Sequence, residues 1–340
     1  MNPELNQEYP EPGEGELIAE MVALAVARMK HHDPSLRGQH AKATGCVRAA
    51  FTIRDDVPGD LRHGVFREPN KTFQAIVRFS NSQEMSEDDR AGAARGMAIK
   101  LLDVDGPPAV PGTGERYQDF LMVNHPVFPF ATPAEYVQFS KIRRAPVAGD
   151  TVAGGWLKLL HPRHVEIIKA IRAKVVASPL DLRYWSGSPY WLGPPGTSGG
   201  RAVKYSALPH FRGTKMPNEP DRMPADYLSQ ALAGHLRKKE AVFDFRVQLQ
   251  IDPVANPIED VSIEWAEDTK DSLPIPLATL TIGVQDVESP AGIALSRQCE
   301  AMAFSPWNAL AQHRPMGGIN RLRKAVYLAS HATRTAATAP

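Results

Sequence analysis

The stretch RLRKAVYLASHATR, residues 321–334, carries the strongest structural signal in the chain. If this stretch is helical, Arg323 and His331 each lie about 40° around the helix from Tyr327, on opposite sides. On the same count Arg334 lies about 20° from Tyr327. A phenol is then flanked by two guanidinium groups, and neighbouring cations favour the phenolate, the form that binds iron. A basic helix end in solvent gives the same pattern, so the interpretation depends on the rest of the chain.

This helix is predicted to begin near Asn320. Asparagine is a good N-cap, and Gly317 and Gly318 interrupt any earlier helix. The positive charges lie along the helix and towards its C-terminal end, where they suit the helix dipole.

Four further motifs precede this helix. His40 opens His-Ala-Lys, Arg78 opens Arg-Phe-Ser, residues 94–100 read Ala-Arg-Gly-Met-Ala-Ile-Lys, and Asn124 opens Asn-His-Pro-Val-Phe. In this order, and followed by the C-terminal Arg-X-X-X-Tyr, they resemble the haem core of the catalase family over roughly residues 35 to 335. Each motif alone is weak, but five in the correct order make the resemblance specific.

The resemblance implies an α+β fold, in which helices surround an antiparallel β-barrel and haem lies between the barrel and the C-terminal helix. Residues 242–251 and 278–285 alternate between apolar and polar, as half-buried antiparallel strands do. Further predicted strands are 75–80, 97–102 and 120–123, and predicted helices are 17–29, 132–143 and 163–175. Residues 180–225, rich in Pro, Gly, Ser and Tyr, are predicted to form a long ordered connection.

Two regions are expected: an N-terminal arm and helix at 1–34, and a catalase-like haem-binding domain at 35–340. The chain is shorter than most catalases. We expect it to lack their long N-terminal arm and any domain after the haem helix, which would leave the haem pocket less enclosed.

Composition narrows the function classes. The net charge of +1 favours neither nucleic acid nor an anionic membrane as a partner, and 43% hydrophobic residues suit a protein with a large core. The apolar stretch 17–29 is too short to cross a membrane. Cys46 and Cys299 lack the spacing of zinc or iron–sulfur ligands. Two free thiols in a cytoplasmic protein fit better than a disulfide, which stays open.

The resemblance assigns the iron to Tyr327, since tyrosine is the established ligand of catalase haem. Arg323 would keep the phenol ionised, and His331 and Arg334 join it among the contacts of haem b. Arg37, Arg78 and Arg334 match the arginines that hold the haem propionates.

On the other side of the haem, His40 matches the base that takes the peroxide proton. Ser80 would fix the tautomer of His40, and Asn124 would donate a hydrogen bond to a peroxide oxygen. Phe128 is a candidate for packing against the haem. Gln39 departs from the family, where a small branched apolar residue precedes the histidine, and this puts the dismutation of peroxide in doubt.

The predicted function is a haem-dependent peroxidase. It would use hydrogen peroxide or an organic hydroperoxide, pass through a ferryl intermediate and take electrons from a small organic reductant. The alternatives are a fatty-acid hydroperoxide-rearranging enzyme, a true catalase and a non-catalytic haem-binding protein. A homo-oligomer is left open by the sequence.

Overall fold

The computed structural model describes residues 3–82, 88–112, 116–144, 155, 159, 161–196, 199–211, 213–214 and 222–338. The α-helices in these ranges are α1 (Glu14–His32), α2 (Pro133–Arg144), α3 (Pro162–Arg172), α4 (Tyr227–Leu236), α5 (Pro290–Ala301) and α6 (Gly318–Thr338). The strands are β1 (Ala43–Ile53), β2 (Thr72–Asn81), β3 (Arg95–Leu101), β4 (Gln118–Val123), β5 (Tyr184–Trp185), β6 (Tyr190–Leu192), β7 (Arg201–Pro209), β8 (Ala241–Leu249) and β9 (Ile275–Ile282).

The strands form one antiparallel sheet in the order β5-β4-β3-β2-β1-β9-β8-β7-β6. Because β5 pairs with both β4 and β7, eight strands close into a barrel, and β6 continues the sheet beside β7. Closure removes the free edges that an open sheet would expose. The predicted antiparallel barrel with surrounding helices is confirmed.

Aromatic side chains fill the barrel. Phe51, Phe66, Phe120, Tyr205 and Phe245 are all buried, and their ring centroids lie 4.6 to 6.4 Å from one another. Such rings interlock in tilted and edge-on contacts, which makes the interior a packed core. A group as large as haem therefore has to lie outside this core, against the barrel wall.

The five predicted strands correspond to β2, β3, β4, β8 and β9, of which β8 and β9 were predicted from period-two alternation. The predicted helices 17–29, 132–143 and 163–175 correspond to α1, α2 and α3. The predicted connection at 180–225 is wrong, because it contains β5, β6 and β7. Residues 197–198, 212 and 215–221 of that stretch lie outside the described residues. Very short strands such as β5 exist through their pairing with distant strands and leave no periodicity of their own.

The two cysteines are joined. Cys46 on β1 and Cys299 near the end of α5 form a disulfide with a Cα–Cα distance of 6.5 Å. The expectation of two free thiols is wrong, because α5 packs on the outer face of β1 through a small apolar cluster that contains both cysteines. Cysteine usage thus gives no support to a reducing compartment, and the cytoplasmic location stays a prediction.

Helix α6 begins at Gly318, two residues before the predicted start. The N-terminal N–H groups of Gly317 and Gly318 donate to carboxylate oxygens of Glu8 (2.8 Å) and Glu259 (2.7 Å), so these acids cap the helix. Asn320 is therefore not the N-cap. It is buried, and its amide donates to the carbonyls of Pro189 and Met316.

Helix α1 packs on α2 and α6, with Met21 and Leu24 against Val137 and Leu322. Whether residues 1–34 form a unit apart from the remainder stays a prediction. Within the described part of the chain, no helix is both long enough and apolar enough to cross a bilayer.

Candidate active site

His40 lies in the segment between α1 and β1, and its φ of 56° falls in the left-handed region that non-glycine residues seldom adopt. Its Nδ1 is 2.9 Å from Ser80 Oγ on β2. Gly96 on β3 forms the floor beneath the ring. A Cβ at Gly96 would come within 2.7 Å of both the His40 ring and Ser80 Oγ, so only glycine leaves room for this pair.

The environment keeps His40 neutral. Burial, the largest cause, and the charges of Arg78, Arg323 and Arg37 together lower the pKa of His40 to about 3. Arg78 also donates to the His40 backbone carbonyl at 3.0 Å. At neutral pH the ring therefore has one nitrogen able to accept a proton, and the nearby cations favour the return of that proton.

Asn124 follows β4 and is buried. Its Oδ1 accepts a hydrogen bond from the backbone N–H of Arg95 at 2.7 Å, which fixes the orientation of the amide. Its Nδ2 is buried and has no partner among the described residues. An unpaired buried donor is costly, so this amide is suited to a ligand that accepts a hydrogen bond.

Tyr327 is half-buried on α6. Arg323, one turn earlier, donates to the Tyr327 hydroxyl at 3.4 Å, and its guanidinium carbon lies 5.3 Å from the ring centroid. Asn320 Oδ1 and Ser188 Oγ accept from the same guanidinium at 3.0 and 3.3 Å and hold it in place. Of the two guanidinium groups predicted beside the phenol, Arg323 contacts it, whereas Arg334 is bonded to the end of α5.

The three predicted propionate arginines converge on the end of α5. Arg37 donates to the Cys299 and Met302 carbonyls at 2.9 Å each, and Arg334 donates to the carbonyls of Glu300 and Met302. Arg78, with 4% of its side chain exposed, pairs with the Glu300 carboxylate at 2.7 Å. Arg37 reaches the same carboxylate at 3.4 Å.

These cations shape one another's ionisation. Burial and then Arg78 lower the pKa of Arg37 to about 9. Burial by itself would raise the pKa of Glu300, but Arg78 and Arg37 hold it below its ordinary value. One carboxylate thus balances part of a cluster of three guanidinium groups, which suits further carboxylates as ligands.

The other predicted residues lie nearby or in a cluster of their own. His331 Nδ1 is 3.2 Å from Arg334, and Gln39 is exposed beside His40. Phe128 is half-buried and packs in an aromatic cluster with Tyr136, at 5.5 Å, and Phe130, at 6.0 Å.

The segment that carries His40 contacts α6 directly, since the Gly38 N–H donates to Ser330 Oγ at 3.4 Å. Two motifs almost 300 residues apart in the chain are therefore adjacent.

The sequence alone did not single out Gly96, Glu300 or the backbone N–H of Arg95. Gly96 and Arg95 lie within the recognised Ala-Arg-Gly-Met motif. Their position in this motif was the sequence signal that could have identified them. Glu300 had none, because a glutamate at a helix end gains meaning only when distant arginines fold onto it.

Comparison with known proteins agrees with this fold. No family model matches the chain. A curated relative, a catalase-related peroxidase from Mycolicibacterium paratuberculosis (strain ATCC BAA-968 / K-10), is 26% identical over 309 residues, which cover 89% of this chain and 90% of the relative.

Solved catalases share the fold. A fungal catalase superposes with a TM-score of 0.68 at 18% identity and covers 98% of this chain, and a bacterial catalase does so with a TM-score of 0.66 at 17% identity and 97% coverage. Catalase A from Saccharomyces cerevisiae gives a TM-score of 0.68 at 17% identity and 98% coverage. The chain spans 65%, 62% and 68% of these three proteins.

The chain has a catalase-like fold, and the predicted resemblance to the catalase family is confirmed. Within that class, the chain is similar over nearly its whole length to a catalase-related peroxidase.

Proposed function

We propose that the chain is a haem-dependent peroxidase that reduces hydrogen peroxide or an organic hydroperoxide with electrons from a small organic donor. The observation that carries the proposal is the pairing of a neutral His40, held by Ser80, with a buried Asn124 amide that lacks a partner. The name of the curated relative supports an oxidoreductase acting on peroxide.

The residues fit a haem b. Tyr327 has a cation at its hydroxyl and is the candidate iron ligand. Arg37, Arg78 and Arg334 would hold the two propionates, with His331 beside Arg334. The unpartnered Asn124 Nδ2 supports a ligand on the side of His40. When bound, haem would accept two oxidising equivalents from the peroxide and pass them to the donor.

The chain's own residues would move the proton and bind the peroxide. Neutral His40 accepts the proton of the peroxide oxygen that approaches the iron, and Ser80 holds the ring through Nδ1, so that Nε2 faces the substrate. Asn124 Nδ2 donates to a peroxide oxygen. The low pKa of His40 then favours transfer of the proton to the departing oxygen, which leaves as water or an alcohol.

The iron ligand is tested first. Tyr327→Phe removes the hydroxyl and leaves the ring, so we expect loss of haem, or loss of its high-spin phenolate absorption, in the purified protein after addition of haem. Tyr9→Phe, on the N-terminal segment, is the matched control and keeps the wild-type spectrum. A wild-type spectrum in Tyr327→Phe contradicts the assignment.

Activity assays separate the remaining classes. A peroxidase oxidises a phenolic dye in the presence of peroxide and releases little oxygen, whereas a true catalase releases oxygen vigorously. A rearranging enzyme converts a fatty-acid hydroperoxide without a donor, and a haem-binding protein does none of these. The same purified protein can be used to identify the reductant and to measure the subunit number.

A further inference from the structure

A carboxylate and two imidazoles meet between the N-terminal ends of α2 and α3. Glu135 lies in the first turn of α2, His161 directly precedes α3, and His164 lies in its first turn. His161 Nδ1 is 3.0 Å from Glu135 Oε1, and His164 Nε2 is 3.1 Å from Glu135 Oε2. The two imidazole rings stack almost parallel, with centroids 4.8 Å apart and planes 4° from each other.

We propose that Glu135, His161 and His164 bind one divalent ion of the zinc, cobalt or nickel class, with water in the remaining position. Each residue offers one ligand atom, and these atoms all lie within 4.8 Å of one another. Bonds of about 2.0–2.1 Å in tetrahedral geometry separate ligand atoms by about 3.3 Å. The observed 3.0 and 3.1 Å contacts, each to a different Glu135 oxygen, widen by a few tenths of an ångström. The ligand atoms that lie furthest apart, at up to 4.8 Å, approach each other by up to about 1.5 Å.

Donor chemistry and charge favour a cation at this point. Imidazole nitrogen suits zinc, cobalt and nickel better than it suits Mg²⁺ or Ca²⁺, and carboxylate oxygen is a common further ligand of Zn²⁺. His164 has 4% of its side chain exposed, so its ring is fixed by packing, and Glu135 Oε2 also accepts from the Ala131 N–H at 2.9 Å. Such outer contacts orient metal ligands in known sites.

The ion would tie two helices to the aromatic cluster. His164 packs edge-on against Phe130 at 5.5 Å, and Phe130 stacks on Tyr136 at 4.9 Å. Tyr136 in turn contacts Phe128 at 5.5 Å, the residue expected to pack against haem. Metal binding would therefore stabilise this cluster, and the proposal holds whether or not the chain binds haem.

Co²⁺ is the direct probe, because its visible ligand-field absorption reports both binding and geometry. The full chain is first dialysed against a chelator that leaves haem intact, then titrated with Co²⁺ and, by calorimetry, with Zn²⁺. We expect one ion per chain, a tetrahedral Co²⁺ spectrum and a higher Tm with Zn²⁺.

The single variants His161→Gln and Glu135→Gln test the ligands. A double variant that combines His161→Gln with His164→Gln tests both imidazoles together. Each single change should weaken binding by at least about tenfold, the lower limit for losing even an outer partner of a ligand. The control is His31→Gln with His32→Gln, an exposed adjacent pair at the end of α1, and it should bind like the wild type.

Two results would overturn the proposal. One is the absence of saturable Co²⁺ or Zn²⁺ binding to the wild type, which would mean that Glu135, His161 and His164 form only a hydrogen-bonded cluster. The other is unchanged binding by the His161 and His164 double variant. If a variant melts early, Zn²⁺ titration of the wild type, with its Tm shift, still decides the outcome.

Discussion

Gly96→Ala should displace His40 without contacting Tyr327, the proposed iron ligand. The added Cβ would lie 2.7 Å from the ring carbon and nitrogen of His40 and from Ser80 Oγ. Ordinary non-bonded contacts lie at about 3.5–4.0 Å, so the ring has to move by about 1 Å. A misplacement of that size in a reacting group costs on the order of 10²-fold in rate. The expected unfolding cost, typical of overpacking, is about 1–3 kcal/mol.

The assay is stopped-flow reduction of peroxide by the haem-loaded variant, beside its absorption spectrum and thermal melt. We expect kcat/KM to fall roughly 100-fold while haem stays bound. Gly234→Ala is the control, because no atom lies within 4 Å of its added Cβ. At this exposed helical position in the last turn of α4, alanine should stabilise the fold by up to about 0.5–1 kcal/mol. A wild-type rate in folded, haem-loaded Gly96→Ala would refute the role of this contact in placing His40.

His40→Ala should keep haem but react with peroxide about 10²–10⁴-fold more slowly. The control His210→Gln, which changes an exposed histidine paired with Asp244, should react at the wild-type rate. A wild-type reaction rate in His40→Ala would give the base role to another residue. Gln39→Val should shift the balance from dye oxidation towards oxygen release, and no shift would remove Gln39 as the determinant. Burial lowers the pKa of His313 to about 3, and its Nε2 accepts from the Val65 N–H at 3.0 Å. The unfolded chain binds this proton first, so stability should be intact above about pH 6.5 and fall by up to about 1.4 kcal/mol per pH unit towards pH 3. His313→Gln should flatten that decline in urea unfolding, and an equally steep decline would rule out this histidine.

Sequence periodicity and motif order were sufficient for the barrel class, because alternation in β8 and β9 reflects burial on one face. β1 escaped detection, since its run of alanine, glycine and threonine gives a weak pattern although the strand is central to the sheet. The strand that closes the barrel also escaped detection, because β5 pairs through one residue with β4 and through two with β7.

The candidate site, like the fold, has features that the sequence predicted and features that it did not. The motifs that contain His40, Ser80, Asn124 and Tyr327 identified these residues as candidates. Each motif alone is weak, but the order of the five motifs is specific. Whether Glu300 pairs with Arg78, and whether the two cysteines meet, depends on how α5 lies across β1. Such long-range packing has no local signature in the sequence.

The disulfide between Cys46 and Cys299 closes residues 46–299 into a covalent ring. The segment before Cys46 and the segment after Cys299 are therefore joined to the ring at the same crosslink. One segment carries His40 and the other carries Tyr327. Along the crosslinked path these residues are separated by about 34 residues instead of about 287, which lowers the entropic cost of bringing them together by about 2 kcal/mol. The crosslink therefore raises the effective concentration of one half of the proposed haem site at the other, even in an unfolded chain.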